Sequence, residues 1–215
     1  MVRELSKENS IFNHFLAELR DVEIQKDSMR FRRNLERVGE VLAYEISKTL
    51  NFSPIEVQSP LGEMDVNLLD NQPVLATILR AGLPMHQGML NYFDKAENCF
   101  ISAYRKYHKG GKFEIEVEYV SCPSLDDKVL IIADPMLATG ASMALVYQSL
   151  MRYGVPKEVH VVAAIASIQG LEYIKSKLPK ETKIWCGAID NELTAQAYIV
   201  PGLGDAGDLS YGTKE

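Results

Sequence analysis

From residue 73 onward the chain alternates short, almost wholly apolar runs with longer mixed segments. The runs are Pro73 to Leu79 (PVLATIL), Cys99 to Ala103, Lys128 to Ala133 (KVLIIA), Val159 to Ala166 and Lys183 to Ile189. Between them, Pro84 to Phe93, the stretch from Ser142 to Tyr153, and Gln169 to Lys177 read as helices. Strands that are apolar on both faces belong to parallel sheets, and parallel neighbours require crossover segments of this length. The pattern therefore predicts an α/β fold with a mostly parallel central sheet flanked by helices. Ahead of it, residues 6–50 read as two helices. The first carries Ile11, Phe15, Leu16, Leu19 and Val22 at helical spacing, and the second carries Leu35, Val38, Leu42, Ile46 and Leu50. Asn51 to Gln72, with Pro54, Pro60 and Gly62 among short β-branched stretches, reads as a strand or loop connection. Phe113 to Val120 alternates as a strand should, after a basic loop His108-Lys109-Gly110-Gly111-Lys112.

Composition narrows the class. The chain has 215 residues, 47% hydrophobic and 24% charged, which matches an ordinary globular protein and gives a single domain, 1–215, as the expectation. With 23 Lys+Arg against 29 Asp+Glu the net charge is −6, so general nucleic-acid binding is disfavoured. The longest strictly aliphatic run, Val161 to Ala166, is far below the roughly 20 residues a membrane span needs. The N-terminal MVRELSKENS lacks an apolar signal core, so a cytoplasmic location is expected. Cys99, Cys122 and Cys186 have neither zinc-ligand nor disulfide-framework spacing and read as reduced core or near-core thiols. His14, His86, His108 and His160 show no metal spacing, His160 reading as a strand-end residue. Arg30, Arg32, Arg33 and Arg37 form a basic cluster that could receive an anionic effector, though a solvated helix face or a subunit contact explains it more simply. No Walker sequence supports ATP hydrolysis.

Ligands of open parallel sheets bind beyond the carboxyl ends of the strands, so the residues after each run carry the candidate chemistry. After Val129 to Ala133 comes Asp134-Pro135-Met136-Leu137-Ala138-Thr139-Gly140-Ala141-Ser142. Small residues at 138–142 let backbone N–H groups close around an anion at the next helix start, while Asp134 is suited to accept hydrogen bonds from sugar hydroxyls. The ordinary alternative is a helix cap, with Thr139 or Ser142 as N-cap. The whole string resembles the ribose-phosphate signature of the type I phosphoribosyltransferases, and its Asp-Pro-Met-Leu-Ala-Thr-Gly form is similar to the uracil phosphoribosyltransferase family. Ala133 stands where most of the superfamily has a second acid, a departure the uracil enzymes share.

Three further places match that family. Arg80-Ala81-Gly82 ends the run Pro73 to Leu79 and resembles the pyrophosphate loop, a planar guanidinium being suited to two phosphate oxygens at once. Arg105 matches the family's Tyr-Arg element, although the Lys106 to Lys112 stretch after it departs from the bacterial pattern. Tyr198-Ile199-Val200-Pro201-Gly202-Leu203-Gly204-Asp205-Ala206-Gly207-Asp208 contains G-x-G-x-x-G, yet only eight residues follow Gly207, too few for a dinucleotide-binding unit. It resembles the family's uracil-binding stretch instead.

The resemblance runs from about Phe15 to Gly212. It implies a hood formed by the C-terminal and N-terminal parts, with a base-binding segment at 198–212. The implied reaction is uracil + phosphoribosyl pyrophosphate (PRPP) → UMP + pyrophosphate. Arg80, Arg105 and Asp134 would carry catalysis. PRPP would be held by these three with Pro135, Met136, Leu137, Ala138, Thr139, Gly140, Ala141, Ser142 and Asp205. Uracil would meet Ile199, Gly204, Asp205 and Ala206. Magnesium would be bound mainly through PRPP and water, GTP would be a possible effector, and the assembly would be a homodimer or larger. The rival within the same fold is a PRPP-sensing regulator of pyrimidine genes, against which the acidic balance weighs.

Overall fold

The computed structural model describes residues 1–107 and 113–213; the basic loop 108–112 predicted from sequence lies outside them. The side chains of residues 104–116 are likewise not described. The five apolar runs form strands β4 (Val74–Leu79), β5 (Glu97–Tyr107), β7 (Val129–Ala133), β9 (Glu158–Ser167) and β10 (Lys183–Asp190). Together with β1 (Val2–Glu4), β6 (Phe113–Ser121) and the short β8 (Met136–Leu137), they make one sheet of order β1-β10-β9-β7-β4-β5-β6, with β8 paired to β9. All pairings are parallel except β5 with β6. The α/β expectation is met, and the physical cause is visible in β7. Val129, Ile131 and Ala133 enter one core while Leu130 and Ile132 enter the other, so both faces are buried.

Helix α1 (Phe12–Arg20) and the long α2 (Ser28–Ser47) cover one face with α3 (Leu83–Leu90). Helices α4 (Ala141–Leu150) and α5 (Ile168–Lys177) cover the other. The start of α2 is set by Asp27, whose carboxylate accepts from the amides of Met29 and Arg30 at 3.0 and 3.1 Å. From there Phe31, Leu35, Val38, Leu42 and Ile46 form a buried stripe at helical spacing.

Some sequence expectations are corrected. Ile11 and Val22 are solvent-exposed, at 63% and 67%, and lie outside α1; Phe12, Leu16 and Leu19 are its buried positions. The helix is shorter than the apolar spacing implied, and its buried face is Phe12, Leu16 and Leu19 at i, i+4 and i+7. Residues 2–4, read as a polar terminus, form an edge strand on β10. The 51–72 connection is an antiparallel hairpin, β2 (Phe52–Ser59) with β3 (Gly62–Leu69), paired throughout in register. His160 lies inside β9, not at its end, and is fully buried.

Candidate active site

At the tip of β7 the chain does not enter its helix directly. Asp134 donates its amide to Val162 O at 3.0 Å, and β8 then runs beside Ile165 and Ala166 of β9. The Asp134 carboxylate accepts from the Met136 amide at 3.3 Å, which bends the chain between β7 and β8. The loop is fastened by groups that the sequence reading passed over. Ser167 donates its hydroxyl to Ala138 O at 2.5 Å and accepts from the Gly170 amide at 2.8 Å. A Cβ on Gly170 would sit 2.3 Å from Ala138 O, so only glycine lets α5 approach this closely.

Gly140 is the N-cap residue of α4 and has φ +77°, in the left-handed region. Thr139 and Ser142 are therefore not the N-cap; Thr139 Oγ1 accepts from the Ala141 amide at 3.3 Å. The turn aims the first-turn amides of a ten-residue helix over the sheet edge, where orphan N–H groups and the helix dipole favour an anion. Pro135, Leu137 and Gly140 are buried, and Asp134, Met136, Ala138, Thr139, Ala141 and Ser142 are half-buried around the concave side.

The tip of β4 lies next to it. Gly82 packs so tightly that a Cβ would fall 2.2 Å from Thr77 Oγ1 and 3.2 Å from Ala133 O, tying this loop to the end of β7. Arg80 points toward the C-terminal segment. It donates to Asp208 Oδ1 at 3.3 Å and to Gly212 O at 3.0 Å, while its Nε is buried without a hydrogen-bond partner. Strand β5 extends past β4, whose last residue Leu79 pairs with Ser102. The β5–β6 pair thus carries Arg105, opposite Ile115, three residues beyond that level, or roughly 10 Å at strand rise.

The C-terminal segment closes the third side. β11 (Glu192–Leu193) pairs with β12 (Ile199–Val200), and α6 (Ala206–Tyr211) follows. Ile199 and Ala206 are buried, Gly204 is exposed with φ +85°, and Asp205 caps α6 by accepting from the amides of Gly207 and Asp208 at 2.9 and 3.0 Å. Gly207 faces Ala81 of the β4 tip. The segment is held by a clamp invisible in the sequence. Arg20 of α1 makes a bidentate pair with Asp190 at the end of β10, both contacts 2.8 Å, and also donates to Gly202 O at 2.8 Å. Asp190 accepts in turn from the Gly202 amide at 2.9 Å.

Arg32 donates to Ser210 O at 2.6 Å and covers the Tyr211 ring, so this member of the basic cluster holds α6. The rest of the cluster is also engaged. Arg30 pairs bidentately with Glu18 and holds its carboxyl below the usual range, Arg33 pairs with Glu36, and Arg37 reaches Asn34 and the Phe15 ring. No long-range sequence signal joins Arg20 to Asp190 or Arg32 to Ser210; only the fold does.

The nine residues from Asp134 to Ser142, Arg80 and the C-terminal segment thus meet at one edge of a parallel sheet. A helix N-terminus beside a carboxylate and a guanidinium at the carboxyl edge of a parallel sheet is chemistry suited to a phosphorylated sugar, and that is the class of α/β protein it points to. Comparison sharpens that class. The profile of the uracil phosphoribosyltransferase family matches residues 6–213. A uracil phosphoribosyltransferase of Porphyromonas gingivalis is 55% identical over 99% of both chains, and one of Pyrococcus furiosus is 39% identical over 92% of this chain and 84% of its own. The solved structure of an Aquifex aeolicus protein, 32% identical, superposes with a TM-score of 0.87 over 99% of this chain and 98% of that one. The chain belongs to the uracil phosphoribosyltransferase family.

Among the described residues no group of three or more His, Cys, Asp or Glu side chains could hold a metal ion, and no helix is long and apolar enough to cross a membrane.

Proposed function

We propose that this protein transfers the 5-phosphoribosyl group of PRPP to uracil in the cytosol, forming UMP and pyrophosphate. The observation that carries the reading is the fastened loop from Asp134 to Ser142, its glycine-started helix aimed at the edge where Arg80 and α6 converge. In the reaction the bond from the anomeric carbon to diphosphate breaks and a bond to the base nitrogen forms on the opposite face, the base proton passing to solvent. Positive charge grows on the ribose and negative charge on the leaving group. Rate enhancement then comes from positioning and from stabilising the departing charge.

The amides at 140–142 hold the 5-phosphate, and Asp134 accepts from the ribose hydroxyls. Arg80, exchanging Asp208 for substrate, and Arg105 grip the diphosphate. Main-chain groups at Ile199, Gly204 and Ala206 read the carbonyls and N–H of uracil. Magnesium fits as an ion carried in by the substrate: Asp134 has Ala133, not a second acid, beside it, and of the other nearby carboxylates Asp205 caps α6 and Asp208 pairs with Arg80. Bound there, it would neutralise diphosphate charge, with most of its ligands from substrate oxygens and water.

The test is formation of labelled UMP from labelled uracil and PRPP, run with a panel of other bases, with and without magnesium and GTP. UMP formed from uracil alone among the bases supports the assignment. Absence of product, or equal turnover of a purine, overturns it. A homodimer or larger assembly is the proposed state, read by light scattering.

A further inference from the structure

The hairpin of β5 and β6 carries a pair of thiols that the reaction does not use. Its last paired residues are Ile101 with Val120 and Phe100 with Ser121, so one further step along the same register sets Cys99 against Cys122. The two side chains also lie on the same face. Cys99, Ile101, Val120 and Cys122 all pack in the core beneath α4 and α5, whereas Phe100 points the other way and meets His86 in a tilted ring contact with centroids 5.2 Å apart. Cys99 is fully buried and Cys122 half-buried, so one thiol is shielded and the other reachable.

Their surroundings differ accordingly. A hydrogen bond from Cys99 and the charge of Lys128 lower the pKa of Cys122 against burial and against Glu97. The Cys99 thiol is pushed up by its bond to Cys122 and by burial. Lys128 is itself ion-paired with Glu97, the first residue of β5. Directly opposed residues of an antiparallel pair have Cβ atoms about 4.5–5.5 Å apart, against roughly 3.5–4.5 Å in a disulfide. Because β6 ends at Ser121, the backbone at Cys122 lies beyond the ladder and can close that gap without breaking a strand hydrogen bond.

We propose that Cys99 and Cys122 form a redox-active dithiol, which a hydroperoxide oxidises to a disulfide joining the base of the β5–β6 hairpin. The Cys122 sulfur attacks the peroxide oxygen; the O–O bond breaks, giving a sulfenic acid and, for hydrogen peroxide, one water. The Cys99 sulfur then attacks the sulfenic sulfur, its proton leaving with the hydroxyl as a second water. In sum, two thiols and one hydrogen peroxide give one disulfide and two waters, the cysteines losing two electrons and the peroxide gaining them. The bond encloses residues 99–122, the segment that bears Arg105. Cys186, under the edge strand with its thiol pushed up to about 12 by burial, is an internal control.

The test uses the reduced full chain exposed to hydrogen peroxide, read by intact mass, thiol titration and peptide mapping. Free thiols should fall from three to one, with a mass loss of about 2 Da that dithiothreitol reverses and a cross-linked pair of Cys99 and Cys122 peptides. Cys122→Ser should abolish the mass loss, and Cys99→Ser should instead accumulate oxygen adducts on Cys122. Cys186→Ser should still form the bond. Retention of all three thiols, oxygen adducts on wild-type Cys122 without a cross-link, or a bond to Cys186 would each overturn the proposal.

Discussion

Two places on the central sheet, the amino-terminal starts of β9 and β10 and the carboxyl tips of β4 and β7, are built from the same kind of strand and treat polar groups in opposite ways. At the amino end, Glu158, His160, Trp185 and Lys183 form a closed network. Trp185 Nε1 can only donate, and it does so to His160 Nδ1 at 3.0 Å, so His160 carries its proton on Nε2 and gives it to Glu158 Oε1 at 2.7 Å. Lys183 completes the Glu158 carboxylate. Burial raises that carboxyl's pKa, but the bond from Lys183 and the His160 contacts outweigh it and hold the group below its ordinary value. At the carboxyl end, Arg80 leaves its Nε unpartnered and Thr77 Oγ1 is buried without a partner. A network that satisfies itself adds stability, whereas one left short is completed by a ligand.

The largest effect should come from Gly140→Val. A side chain there is strained by about 1–2 kcal/mol from its left-handed φ alone, and its Cβ would meet Gly170 O and Ile174 Cγ2 at 2.8 Å. We expect kcat/KM for PRPP to fall about a hundredfold or more, close to 3 kcal/mol of transition-state stabilisation. Near-normal efficiency below the melting temperature would remove the α4 turn from the site.

Next comes the acid window of the amino end. Burial drives His160 down to about 4 from 6.5, with Glu158 opposing. Since the unfolded chain takes up this proton more readily, the stabilisation is complete above pH 6.5 and is lost as the pH falls toward 4, roughly 3 kcal/mol in all. Protonation would also set an N–H against the Trp185 indole. His160→Asn, which keeps an acceptor for Trp185 but cannot charge, should flatten this slope in urea melts while leaving KM and kcat in place. An unchanged slope breaks the comparison.

Arg80→Ala should lower kcat/KM at least tenfold, about 1.4 kcal/mol, without loss of melting temperature. The smallest effect belongs to Asp208→Asn. The pair it breaks is 37% and 33% exposed, so releasing Arg80 should lower KM for PRPP less than about fivefold. A rise in KM would mean that Asp208 positions Arg80 for substrate rather than competing with it.

Much of the fold was legible because burial on both faces leaves a signal in single residues: the five apolar runs became β4, β5, β7, β9 and β10 within a residue or so, β5 excepted. The β5 run continues to Tyr107 because antiparallel pairing with β6 carries it beyond the sheet, through polar residues that look like loop. At the candidate site, Asp134 to Ser142 and Arg80 stood out through their places after apolar runs and the resemblance of their motifs, local chemistry alone leaving a helix cap and a surface ion pair as the simpler readings. Ser167, Gly170, Arg20, Asp190 and Arg32 did not, since each acts on a backbone carbonyl or partner far away in the chain.

Local pattern alone, then, decided where strands stop and which small or charged residues stand at their tips, because backbone geometry and side-chain size act within a few positions. Tertiary structure decided that three such tips share one edge, that Arg20 and Asp190 clamp the last of them, and that Cys99 faces Cys122. Contacts between residues 20 and 190 depend on how whole layers stack, and no stretch of adjacent letters encodes that distance.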